Sequence, residues 1–227
     1  MKKLFTICIL PIIILVLVFL VYSSIMKPVR FDKEADARKA VAVERLKDIR
    51  TIQGVYKSAN GHYAPVMDSL VDFYNNGNIN IVMQIGSLDD SAAVAHTEAV
   101  KKANRGITPD KLYQLYLAGD KNLVIQIPLP MAVKDTLFNG RPNFNINDLR
   151  YIPFSDGDTV IMSTVVKQVS GVDVPLFEAK MPFWSLLKGM DHQLIVNLVA
   201  EKEDTDRYAG WMVGSVDNPN NNAGNWE

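Results

Sequence analysis

FDKEADARKAVAVERLKDIRTIQGVYK, the stretch from Phe31 to Lys57, carries the clearest structural signal in the chain. Its apolar residues recur at helical spacing and form a single stripe, which predicts a long amphipathic helix with one packing face. The stripe consists of Ala35, Ala42, Leu46, Ile49 and Tyr56. Asn60 and Gly61 are predicted to end the helix, because glycine readily adopts the left-handed conformation found at helix C-termini.

An apolar run, LFTICILPIIILVLVFLVYSSIM, precedes this helix and extends from Leu4 to Met26. At about 1.5 Å of rise per residue, a helix of this length crosses a hydrocarbon layer of about 30 Å. A cleaved signal peptide is the alternative, but such peptides have a shorter apolar region that ends in a small-x-small site. The sequence therefore predicts an uncleaved single-pass anchor in the lipid bilayer. Pro28 leaves two arrangements open after it, one kinked helix or two helices with a short joint.

Basic residues flank both ends of the apolar run and bear on its orientation. Lys2 and Lys3 precede the run, whereas Lys27, Arg30 and Lys33 follow it. A very short basic tail ahead of a single span more often stays in the cytoplasm, and long domains are translocated largely regardless of their charge. We therefore expect a protein of the inner membrane whose C-terminal domain lies in the periplasm.

Composition excludes some classes of partner. The chain has 227 residues, with 24 basic and 25 acidic side chains and a formal net charge of -1. A charge balance of this kind provides no positive field for nucleic acid, so no nucleic-acid partner is expected. The single cysteine, Cys8, lies in the apolar run, so the region after the anchor carries no thiol chemistry.

The rest of the chain alternates between strand and helix patterns. Helices are predicted at 89–103 and 109–118, with a short helical turn at 182–188. Strands are predicted at 79–86, 122–133, 158–170, 172–179 and 193–200, the second interrupted by prolines that favour an edge position or a bend. Gly171 lies in the turn of a predicted β-hairpin. Together these patterns predict an α+β fold, in which an N-terminal transmembrane helix leads into a long amphipathic helix packed on a mostly antiparallel, β-rich domain.

This prediction divides the chain into four parts. They are a membrane anchor at 1–27, a juxtamembrane amphipathic helix at 28–63, an extracytoplasmic α+β domain at 64–216 and a flexible polar tail at 217–227. The tail is rich in Asn, Pro and Gly, yet Trp226 lies next to its end. The composition of the tail favours a frayed terminus. Docking of Trp226 in a groove of its own domain or of a partner is the alternative, because the residue is an aromatic that follows a polar linker.

The sequence contains no strong catalytic or ligand-binding motif. His62, His96 and His192 are far apart, and none has a second ligand at zinc-binding spacing. The stretch from Ser155 to Asp158 offers two carboxylates to calcium, but a polar hairpin turn predicts the same residues. Nucleophile elbows, phosphate-binding loops and dinucleotide fingerprints do not occur in the sequence. We therefore predict a non-enzymatic protein with no catalytic residue, no cofactor and no metal.

The phrase YKSANGHYAP at residues 56–65, followed by MDSLV at 67–71, resembles the end of the long N-terminal helix in type IV pilins and type II secretion pseudopilins. The resemblance implies an apolar half-helix that continues into an amphipathic half packed on an antiparallel sheet, with subunits assembling through their helices. The chain departs from these families in lacking the glycine of the prepilin peptidase signature before Leu4. The later sequence, around 177–179 and 220–227, resembles uncharacterised single-span envelope proteins of Bacteroides-type bacteria.

Two functions are consistent with these features, and the first is favoured because the long helix, the phrase at 56–65 and the anchor agree on it. The first is a pilin-like structural or accessory subunit of a bacterial envelope assembly, which contacts an envelope protein or further copies of itself through the N-terminal helix and its stripe. The second is an anchored module that binds a soluble ligand or an envelope protein, with the stripe covered by its own sheet. Burial of Leu46, Ile49 and Tyr56 by the domain's own strands would leave only the membrane half of the helix for assembly.

Overall fold

The computed structural model describes residues 10–227, so the first part of the predicted anchor, including Cys8, lies outside the described residues. The mixture of helices and antiparallel strands confirms the predicted α+β class. In chain order the elements are α1 (Leu10–Asn60), α2 (Met67–Asn76), β1 (Asn78–Ile85), α3 (Ser91–Ala103), α4 (Pro109–Leu117), β2 (Ile125–Ala132), α5 (Val133–Thr136), a 3-10 helix (Ile146–Arg150), β3 (Ile161–Val169), β4 (Val172–Pro182), α6 (Phe183–Leu186), α7 (His192–Glu203) and β5 (Gly210–Gly214).

Helix α1 runs without a break through Pro28, so the segments that flank this residue form one helix and not two helices with a short joint. Its 51 residues correspond to about 75 Å of helix. The N-terminal half is apolar and largely exposed, and it is long enough to cross a membrane. The C-terminal half belongs to the folded domain, so one rigid element joins the candidate span to the domain.

The stripe of α1 lies in the main core of the domain. Ala42, Leu46 and Ile49 have no exposed surface, and Ala35 and Tyr56 pack against the same core while partly buried. The core also contains side chains from α2, β4 and β5, namely Leu70, Phe177, Met181 and Val213. Burial of each large aliphatic side chain stabilises the fold by roughly 1.5–3 kcal/mol. The stripe is therefore occupied within the protein's own domain.

A buried glutamine fixes the turn that follows α1. Gln53 is fully buried, and its amide donates to the carbonyl of Ala64 (3.0 Å) while its side-chain oxygen accepts from the amide of Ala64 (2.9 Å). The helix ends at Asn60, and Gly61 has a φ of 79°, as the sequence predicted. The reciprocal pair holds the chain against the core where it reverses direction.

The main sheet has the order β3-β4-β5, and both of its strand pairs are antiparallel. The predicted hairpin is confirmed, with Ser170 and Gly171 between β3 and β4. Their φ values of 53° and 82° suit a type I′ turn, which requires a left-handed conformation at both positions. The far side of β5 is covered in part by the C-terminal segment, through a bridge between Val213 and Gly224.

A second, two-stranded sheet has its own small core. β1 and β2 pair in antiparallel register, and Leu112 of α4 packs with Ile125 and Ile127 of β2. Within residues 10–227, β2 pairs with β1 alone, so its two prolines lie in an edge strand, one of the two positions that the sequence predicted.

The predicted strand at 193–200 is wrong, because this segment is part of helix α7. Asp191 caps the helix by accepting from the amides of Gln193 (3.0 Å) and Leu194 (3.3 Å). Ile195 and Val199, one helical turn apart, are the buried residues. A short apolar run fits both periods, and the cap together with tertiary packing selects the helix.

Replacing Gln53 with leucine should lower the free energy of unfolding by about 2 kcal/mol, since the amide and carbonyl of Ala64 would lose their partners in the core. Urea unfolding of the full-length protein in detergent, followed by tryptophan fluorescence, measures this change. The matched control is Gln114→Leu, because Gln114 is exposed on α4. Equal losses in the two variants would contradict the role given to Gln53.

Candidate functional site

A groove of about 430 Å³ lies between α1 and the loop that follows α5. Glu44, Arg45 and Asp48 line the helix side of the groove. The loop side includes Arg141, and side chains from 142–149 complete the wall. Acidic and basic groups thus face the same space, which makes this groove the best candidate among the described cavities for binding a polar ligand.

Arg141 links the two walls of the groove. Its guanidinium donates to Oε1 of Glu44 at 3.0 Å and to Oδ1 of Asp48 at 2.5 Å. It also lies over the rings of Phe138 and Phe144, at 4.6 and 5.2 Å from their centroids. These two rings stack at 4.1 Å. Both ion pairs and cation–π contacts therefore hold the guanidinium in one place.

Burial perturbs the charged groups on the helix side. Asp48 is 7% exposed, and this burial raises the pKa of its carboxyl, against the opposing effect of the Arg141 hydrogen bond and charge. Burial also lowers the pKa of Arg45, although the charge of Asp148 opposes the shift. The guanidinium of Arg45 donates to the carbonyls of Asp148 (2.8 Å) and Tyr151 (2.7 Å). Arg45 thereby fixes the 3-10 helix against α1.

The groove offers binding groups without a recognisable set of catalytic groups. Glu44 is exposed at its rim, and the adjoining Asn143 supplies an amide donor and acceptor, whereas the Asn145 side chain caps the 3-10 helix. Across residues 10–227, no cluster of three or more His, Cys, Asp or Glu side chains is placed to hold a metal ion. The arrangement can hold a polar or charged ligand through hydrogen bonds and ion pairs.

The structure places the residues predicted from the sequence away from this groove. Leu46 lies between the groove residues Arg45 and Asp48 in sequence, and Ile49 follows Asp48, but both are buried in the core. The tail predicted to be flexible is hydrogen-bonded to β5, where Asn225 donates to the carbonyl of Gly210 (2.9 Å) and to that of Met212 (3.1 Å). Asparagine and glycine, read as signs of flexibility, instead provide the turns and side-chain bonds of a folded segment.

Trp226 packs against the main core of its own domain. Its Nε1 is buried, and within the described residues it has no hydrogen-bond partner. The neighbouring Glu227 accepts from Arg50 of α1 at 2.7 Å, and this hydrogen bond lowers the pKa of the Glu227 carboxyl. The C-terminus is thus held by one apolar contact and one ionic contact.

The groove could not be predicted from the sequence, because its ion pairs join residues that are far apart along the chain. Arg141 is separated from Asp48 by 93 residues. One signal was present in the sequence, since Glu44 and Asp48 are like charges four residues apart on a helix and repel each other without a cation nearby. That signal predicts a basic partner without identifying it.

Comparisons of the chain with protein-family models, with curated proteins and with solved structures gave no significant match.

Replacing Arg141 with alanine should lower the free energy of unfolding by about 2 kcal/mol at neutral pH, because the buried carboxylate of Asp48 would lose its counter-ion. The native pKa of Asp48 would then rise further, so the native state would bind a proton more tightly than the unfolded state. The loss of stability caused by Arg141→Ala should therefore become smaller as the pH falls from above the raised native pKa of Asp48 towards 3.8, the ordinary pKa of an aspartate. Urea unfolding at several pH values measures it.

Two further variants control this experiment. Arg105→Ala removes an exposed arginine and should leave stability unchanged. Adding Asp48→Asn to the Arg141→Ala variant should restore part of the lost stability and remove the pH dependence of the deficit. A deficit that is independent of pH would argue against an uncompensated carboxylate at Asp48.

Replacing Trp226 with alanine should cost about 2 kcal/mol of stability, since its ring packs against the core. Trp184 is 46% exposed, and in detergent Trp184→Ala should change stability by less than about 0.5 kcal/mol. Thermal unfolding of the full-length variants, followed by circular dichroism, compares them. Unchanged stability in Trp226→Ala would support a frayed terminus.

Proposed function

We propose that this protein is a single-span, non-enzymatic binding module, anchored in the inner membrane with its α+β domain on the periplasmic side. The observation that carries the proposal is the division of α1 into an exposed apolar half and a half that forms the core of the domain. A helix shared in this way holds the domain at a fixed place beside the bilayer. The groove between α1 and the loop after α5 is the proposed binding surface.

The contacts of the stripe favour a binding module over assembly through the whole helix. Leu46 and Ile49 have no exposed surface, and Tyr56 is packed on the rings of Phe73 and His62 at 5.0 and 5.7 Å. A neighbouring subunit could reach this face only if the domain opened. The groove, in contrast, presents polar side chains to solvent in the closed fold.

The charges of the groove suit a ligand with both donor and acceptor groups. The carboxylate of Glu44 is 65% exposed even while it accepts from Arg141, so it remains available to a cationic or hydrogen-bond-donating group. The Asn143 side chain beside it binds amide or hydroxyl groups. A polar segment of an envelope protein or a soluble polar molecule would satisfy this chemistry.

A second function is supported by the exposed half of α1. Its apolar residues, from Leu10 to Ile25, make no core contact in the described fold. In an accessory subunit of an envelope assembly, of the pilin-like kind, this surface would contact the membrane helices of a partner or of further copies. Lipid alone also suits the surface, so cross-linking has to separate the two functions.

Site-specific photo-cross-linking in the full-length protein, expressed at its native level, tests the proposal. A photoreactive residue at Asn143, on the groove, should give a defined product, whereas the same residue at the exposed Asn104 should not. Glu44→Gln should reduce the yield at Asn143, because the carboxylate contributes to binding.

Probes at Val16 and Val29, on the exposed face of α1, provide the comparison. A ladder of multimers from these positions, with no product at Asn143, would contradict the binding module and establish assembly through the membrane half. Products at neither set of positions would leave both functions without support.

A further inference from the structure

The domain reaches down along α1 to the level of the apolar run. We call residues 184–194, which extend from α6 through the connecting loop to the first turn of α7, the membrane-proximal corner. Asp191, Gln193 and Leu194 of this corner line one cavity with residues 20–28 of α1. Met190 and Leu194 line a second cavity with residues 27–31 of the same helix. The corner is therefore beside the end of the candidate span.

The length of the run sets the level of the bilayer surface on α1. A run of this length crosses a hydrocarbon layer of about 30 Å, so its C-terminal end lies near the boundary of that layer. The apolar run itself ends at Met26 and is followed by Lys27. The corner lines cavities with residues on both sides of this boundary. It would therefore lie at the level of the lipid headgroups when α1 spans the bilayer.

The side chains of the corner are of the kinds that are found at the membrane–water interface. Trp184 is 46% exposed, and its ring lies 5.6 Å from that of His192. Tryptophan prefers the membrane–water interface, because its apolar ring carries one polar N–H group. Lys188 is exposed on the corner, while Met190 and Leu194 are half-buried apolar residues.

The charges around the corner are mixed, with the basic groups outnumbering the acidic ones toward α1. Lys27 and Arg30 line the cavities next to the corner and attract anionic headgroups. Asp191 is the facing acid, and its side chain is engaged in capping α7. Lys188 lies 3.6 Å from Asp156 and donates to the carbonyl of Ser155 (3.3 Å), so its charge is engaged within the domain.

The corner is tied to α1 and cannot swing away from it without loss of contacts. Arg38 donates to the carbonyls of Leu186 (3.1 Å) and Lys188 (2.9 Å). Phe31 of α1 is buried in the same core as Leu187. An anchored α1 would therefore carry the corner to the bilayer surface as part of the same rigid unit.

We propose that the membrane-proximal corner is a second membrane contact, with Trp184 in the headgroup layer and with Lys27 and Arg30 facing anionic lipid. This inference rests on the proposed function, since it requires α1 to span the bilayer. A second contact beside the rigid α1 would limit the tilt of the domain against the membrane surface. Glu44 then lies about 25 Å above Met26 along the helix, within reach of soluble or envelope partners.

Spin-label depth measurements on the full-length protein in vesicles test the inference. In a Cys8→Ser background, single labels are placed by Gln193→Cys on the corner, by Val16→Cys on the span and by Gln114→Cys as an exposed control. The vesicles contain phosphatidylcholine with or without phosphatidylglycerol. Collision with oxygen and with a water-soluble nickel chelate reports the depth of each label. We expect hydrocarbon depth at residue 16, interfacial depth at residue 193 and full aqueous exposure at residue 114.

The labels separate failure of this inference from failure of the proposed function. Aqueous exposure at both 16 and 193 would overturn the anchor itself. Hydrocarbon depth at 16 with aqueous exposure at 193 would overturn the corner contact alone. A Trp184→Ala change should at least halve the nickel protection at 193 without altering the depth at 16, whereas Trp226→Phe should leave both unchanged. Phosphatidylglycerol should increase the protection at 193, and absence of this increase would exclude the assigned role of the basic residues.

Discussion

The structure depends on one constraint, which is that a single helix serves two environments. The N-terminal half of α1 exposes apolar side chains on all sides, as a helix surrounded by lipid does. The C-terminal half carries one apolar stripe, which is buried with β4 and β5. Because the helix is continuous through Pro28, its backbone hydrogen bonds connect the two halves mechanically. The domain therefore cannot be separated from the orientation of the candidate span.

Three arginines on α1 bind the rest of the domain to the helix. Arg38 holds the membrane-proximal corner, Arg45 holds the carbonyls beside the 3-10 helix, and Arg50 holds the carboxylate of Glu227. Each bond joins α1 to a segment more than 100 residues away. In the contact made by Arg141 the roles are reversed, because the loop supplies the arginine and α1 supplies the carboxylates of Glu44 and Asp48. Charged hydrogen bonds thus complete the packing that the apolar stripe begins.

The sequence predicted the local elements because their signals are local. Asp90 and Thr108 cap their helices by accepting hydrogen bonds from backbone amides two or three residues further along the chain. The Ser170–Gly171 turn depends only on the backbone preferences of its own two residues. The strand predicted at 193–200 was wrong, because a short apolar run fits two periods and the distant core selects between them. The ion pair of Arg141 with Asp48 could not be derived from spacing, since it depends on how the chain folds back onto α1.

The distance between the two halves of α1 tests the account most directly. Spin labels introduced by Leu17→Cys and Thr51→Cys, in a Cys8→Ser background, are separated by 34 helical positions, or about 50 Å in an unbroken helix. Both side chains are exposed, so the labels need not disturb the core. Pulsed electron-spin distance measurement of the full-length protein in lipid nanodiscs should give one narrow distribution near that value. A broad or much shorter distribution would show a joint at Pro28 and contradict the rigid connection between the span and the domain.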